Sequence, residues 1–137
     1  MIAVGTHAGT ARIDTPEEIV AYSQGFDEIR AGAAQYGWTI DLGAISKIWR
    51  AGCIIRAQFL DKIKLAYQRN PELPNLLLDP DFAAWLSQAQ ENWRLVVSTA
   101  SRLGVPVWAR GASLPYYDSY RRERLPQNLT QAQRDFF

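Results

Sequence analysis

The residue types able to do chemistry are few in this chain, and they are scattered. The single histidine, His7, lies in the glycine- and threonine-rich opening MIAVGTHAGTARID, and the single cysteine, Cys53, lies far from it at mid-chain. Nucleophilic catalysis needs a base held rigidly beside its nucleophile, and an irregular opening does not give His7 that support. One cysteine cannot build a disulfide framework or a zinc site of paired thiolates. The carboxylate pairs Glu17/Glu18 and Asp79/Asp81 could serve two-carboxylate acid–base chemistry. Each, however, adjoins a proline at a helix start, where the helix dipole favours negative charge, so capping is the better reading. No GxGxxG follows a strand and no GxxxxGK[ST] is present, so neither kind of phosphate cradle is expected. The residues by themselves predict no catalytic residue, no cofactor-binding residue and no metal ligand.

Two clusters remain. Arg50, Arg56, Lys62, Lys64 and Arg69 lie along one segment, ordinarily a solvated face. Arg56 sits among apolar neighbours in CIIRA (53–57) and also fits a paired interior arginine. The run YYDSYRR (116–122) is amphipathic; it fits either a surface for a partner or aromatic packing with exposed charge. The 15 basic and 14 acidic residues leave a net charge of +1, which argues against a nucleic-acid footprint.

The elements that must position these residues read as helices throughout. Residues 1–14 form an irregular lead-in. Thr15-Pro16-Glu17-Glu18 is a capping-box start, followed by the stripe Ile19, Tyr22, Phe26, Ile29, Ala33 and Tyr36 at helical spacing. Gly37 ends that helix. Asp41 opens a shorter helix through Ala44, Ile45, Ile48 and Trp49, with a break at Gly52. A third is predicted over 53–69, with Ile55, Phe59, Ile63 and Ala66 inward, stopped by Asn70-Pro71. Residues 72–78 suffice for a turn or two. Asp79-Pro80-Asp81 then starts the clearest stripe: Phe82, Trp85, Leu86, Ala89, Trp93, Val96, Val97, Ala100 and Leu103, closed by Gly104. An extended link at 105–107 precedes a helix over 109–124, with Pro115 near its start or at a kink. Leu125-Pro126-Gln127-Asn128 reads as a turn, and Thr130 as the cap of a last helix over 131–137.

No segment alternates with the period of a strand, so the fold class is all-α, a multi-helix domain. A length of 137 residues and 47% hydrophobic content suit one domain with a real core. Apolar runs such as Leu76-Leu77-Leu78 are too short to span a bilayer, and the opening lacks the pattern of a signal peptide. A cytoplasmic location is therefore expected, with no membrane partner and no nucleic-acid partner.

Five strings occur together and in order: YSQGF (22–26), KIWRAGCIIR (47–56), NLLL (75–78), YDSYR (117–121) and LPQNLTQAQRDFF (125–137). With them the chain resembles the C-terminal helical domain of 6-phosphogluconate dehydrogenase, the decarboxylating enzyme of the pentose phosphate pathway. The resemblance covers residues 19–137; residues 1–18 stand as a non-matching lead-in. It implies an enzyme whose N-terminal Rossmann domain binds NADP or NAD. That enzyme oxidises 6-phosphogluconate at C3 and releases carbon dioxide to give ribulose 5-phosphate.

The family's catalytic lysine and glutamate, and its KGTGxW string, precede the region matched here. A histidine in a GAHxY segment follows it, so the match stops before the family's C-terminal tail. One functional position carries over. The arginine of QAQRD, which in the family reaches into the neighbouring subunit and contacts the substrate's phosphate, is Arg134 here; its planar fork suits phosphate oxygens. The resemblance therefore implies a substrate-binding Arg134 and no NADP site within this chain. It implies a partner that is a second copy or a dehydrogenase subunit, 6-phosphogluconate as ligand only in a complete enzyme, and no activity alone. A non-catalytic helical interaction module is the alternative.

Overall fold

A computed structural model describes residues 15–52 and 59–137, with the backbone alone at 50–52. Every regular element among the described residues is helical. The elements are α1 (Pro16–Tyr36), α2 (Leu42–Gly52), α3 (Phe59–Arg69), a 3-10 turn (Leu76–Leu78), α4 (Pro80–Arg102), α5 (Trp108–Tyr120) and α6 (Gln127–Phe136). The all-α expectation holds. The start of the third expected helix, with Cys53, Ile55 and Arg56, lies outside the described residues, as does His7.

The helix ends follow the local chemistry. Pro16 occupies the first turn of α1, and the Glu18 carboxylate accepts from the Thr15 N–H at 3.3 Å, the returning half of a capping box. Gly37 closes α1 at φ 68°, and the Trp38 N–H reaches the Ala33 carbonyl at 2.9 Å. Gly104 repeats this after α4 at φ 69°, with Val105 N–H on the Ala100 carbonyl at 2.9 Å. Both are six-to-one closures that need a left-handed residue, which glycine adopts without a Cβ penalty.

The core is aromatic at its centre. Val20, Phe26, Ile63, Leu76 and Leu86 are completely buried. Tyr22 meets Phe59 edge-on at 4.7 Å, while Phe26 lies 5.1 Å from Trp49 and 5.5 Å from Tyr67. These rings join α1 to the α2–α3 pair. On the other side α1 packs against α4 and α5. Offset and edge-on ring pairs add about 0.5–1.5 kcal/mol each beyond their buried area.

Three boundaries differ from the sequence reading. α5 begins at Trp108 and ends at Tyr120 instead of running to residue 124. Residues 121–124 are Arg-Arg-Glu-Arg and all exposed, so they offer no apolar face to sustain a helix by packing. Pro115 sits inside α5, the second of its two expected placements, where it cannot donate to the Gly111 carbonyl. α6 begins at Gln127, with Pro126 at its cap in a helical conformation (φ −56°, ψ −26°). What reads as a turn at 125–128 is thus the helix's first turn, and Thr130 lies within the helix rather than capping it. Proline's fixed φ suits such a first turn.

Candidate functional site

α6 carries Arg134, the one site residue expected from the sequence. The helix has no buried residue. Leu129 and Phe136 are 69% and 85% exposed and Phe137 is fully exposed. Leu129, Ala132 and Phe136 recur at three- and four-residue spacing and form one apolar stripe. Arg134, two residues before Phe136, projects from roughly the opposite side. Among the described residues the guanidinium has no ion-pair partner; its neighbour Asp135 is engaged by Gln131 at 2.8 Å. α6 thus presents two unmatched faces, one apolar and one cationic.

α5 is tied to three other segments. The Arg94 fork from α4 donates to both oxygens of Asp118, at 2.8 and 2.5 Å. Arg121 adds a third contact to Asp118 at 3.0 Å and lies 4.6 Å over the Tyr117 ring, a cation–π arrangement. The hydrogen bond from Arg94 holds the Asp118 carboxyl below its ordinary value, and Asp118 in turn raises Arg94. The Trp93 indole N–H donates to the Arg110 carbonyl at 3.3 Å, and Arg110 Nε reaches Glu17 on α1 at 2.6 Å. Asn75, in the loop before the 3-10 turn, donates to the Tyr116 hydroxyl at 3.4 Å.

Several of the other candidate residues among those described have structural roles. Asp79 caps α4, accepting from Asp81 N–H at 3.0 Å and Phe82 N–H at 3.4 Å. Arg69 bridges Asp79 at 2.8 Å and Asp81 at 2.7 Å, so one arginine of the basic segment is an ion-pair partner. Glu17 and Glu18 serve Arg110 and the α1 cap. In the run at 116–122, Tyr117 is buried and Tyr116 packs against the core, so packing accounts for both. Arg94 is the residue that sequence reasoning missed. Its i+24 partner Asp118 carries no local signal, because the pairing exists only once α4 and α5 are side by side.

An apolar groove runs between the end of α1 and α2, lined by Ile29, Trp38, Ile40, Ile45 and Ile48. Among the described residues no three His, Cys, Asp or Glu side chains gather in a way that could hold a metal. No helix among them is long and apolar enough to cross a membrane.

An all-helical domain ending in an outward arginine-bearing helix is the class of structure these features define. The C-terminal domain of 6-phosphogluconate dehydrogenase matches residues 16–137, and the chain belongs to that family. It is 54% identical over 120 residues to 6-phosphogluconate dehydrogenase, decarboxylating 2, of Arabidopsis thaliana. It is 50% identical over 120 residues to the decarboxylating enzyme of Rattus norvegicus. Each match covers 88% of this chain and 25% of the relative, so the chain spans about a quarter of the length of these relatives.

The fold also matches the Plasmodium falciparum 6-phosphogluconate dehydrogenase. That enzyme is solved in its apo form, with its cofactor NADP+ and with its substrate 6-phosphogluconate. The match has a TM-score of 0.84 and 39% identity, and covers 88% of this chain and 26% of that one.

Proposed function

We propose that this chain acts as a helical pairing domain of a 6-phosphogluconate dehydrogenase. It would associate through its open apolar surfaces and present Arg134 to the phosphate of a substrate held by the neighbouring subunit. The observation that carries the reading is α6: an amphipathic helix with nothing buried and a guanidinium turned away from the apolar stripe. Burying the stripe against a second subunit would remove exposed apolar surface, at about 25 cal/mol per Å², and leave Arg134 pointing outward. A guanidinium binds phosphate oxygens bidentately, with charge-assisted hydrogen bonds.

In this reading the domain is the matched stretch, residues 16–137, the location is cytoplasmic, and NADP belongs to enzyme segments outside it. No cofactor step is assigned to residues of this chain. The whole enzyme's reaction, oxidation at C3 followed by decarboxylation, therefore does not proceed on the chain alone. Proton transfer needs a positioned acid and base, and hydride transfer needs a cofactor site. The test joins two measurements. Sedimentation at micromolar concentration is expected to show a dimer, and incubation with 6-phosphogluconate and NADP+ is expected to produce no NADPH. A strictly monomeric species overturns the pairing role; NADPH formation overturns the predicted inactivity.

A second reading, a non-catalytic interaction module that pairs with itself or a full-length dehydrogenase, is favoured by a different observation. Tyr36, Trp38 and Ile48 are 68%, 59% and 65% exposed around the α1–α2 groove, and clustered exposed apolar side chains mark interaction surfaces. Substituting Arg134 separates the two readings. It should leave assembly with a full-length dehydrogenase intact in both, and lower the activity of the mixed assembly only in the first.

A further inference from the structure

We draw no further inference here: the strongest candidate, the apolar groove between the end of α1 and α2 lined by Ile29, Trp38, Ile40, Ile45 and Ile48, carries nothing because nothing in the structure shows what covers it.

Discussion

Arg94 on α4 and Asp118 on α5 hold each other through two hydrogen bonds, Nη1 to Oδ2 at 2.8 Å and Nη2 to Oδ1 at 2.5 Å. The pair sits two residues before the end of α5, where the chain leaves for α6. It therefore ties the end of α5 to α4.

Replacing Asp118 by Asn removes the charge while keeping the shape. The side chains are 41% and 32% exposed, so solvent screens the pair and the expected loss is about 1 kcal/mol at neutral pH. The pH dependence has a definite sign. The unfolded carboxyl titrates at 3.8, and in the fold Arg94 holds it lower. The contribution is therefore complete above pH 3.8 and fades as pH falls through the lowered value. Urea midpoints of parent and D118N should differ at neutral pH and converge in acid. A constant gap across that range would contradict the assignment.

Tyr67 gives the opposite, alkaline dependence. Burial pushes its hydroxyl from 10.0 up to about 12. The unfolded chain loses this proton more readily than the fold does, so stability is fully present below pH 10.0 and is lost as pH rises toward about 12. Tyr67→Phe keeps the ring packed beside Phe26 at 5.5 Å and has no proton to lose. It should cost less than about 1.5 kcal/mol at neutral pH, as volume-conserving changes do. Above pH 10.0 it should retain more of its neutral-pH stability than the parent does. Alkaline unfolding followed by circular dichroism reads this, and equal losses in both proteins would refute it.

The α3–α4 corner depends on one carboxylate. Asp79 is only 2% exposed, caps α4 and receives Arg69. Asp79→Ala removes both roles and should cost about 1–2 kcal/mol. Asp79→Asn keeps a capping oxygen and drops the ion pair, whose arginine is half exposed, so its melting temperature should fall between those of parent and alanine variant. If the asparagine variant melts with the alanine variant, the ion pair rather than the cap dominates.

Leu86 and Arg134 bracket the range of responses. Leu86 is completely buried, so Leu86→Ala should cost about 2–5 kcal/mol through lost transfer energy and a cavity. Arg134 is exposed on a helix with no buried residue, and Arg134→Ala should change monomer stability by less than about 0.5 kcal/mol. A large destabilisation by the latter, measured in urea, would mean that α6 is packed rather than presented.

Much of this was legible along the chain. The proline-bearing starts at Thr15 and Asp79, the glycine stops at Gly37 and Gly104, and the stripes of α1 and α4 are local or nearly local signals. Each depends on backbone groups within a few residues, or on side chains that share a face at helical spacing, and the structure keeps them. The family strings were equally readable. Tertiary structure decided what depends on neighbours distant in sequence. Tyr36 and Leu103 continue their stripes yet are 68% and 72% exposed, because no other helix among the described residues covers those ends. Residues 121–124 leave α5 because nothing apolar there can pack. Arg94 finds Asp118, and Arg110 finds Glu17 across 93 positions, only through the placement of whole helices. A periodicity states which face a helix can bury, whereas the arrangement of the other helices determines whether anything arrives to bury it.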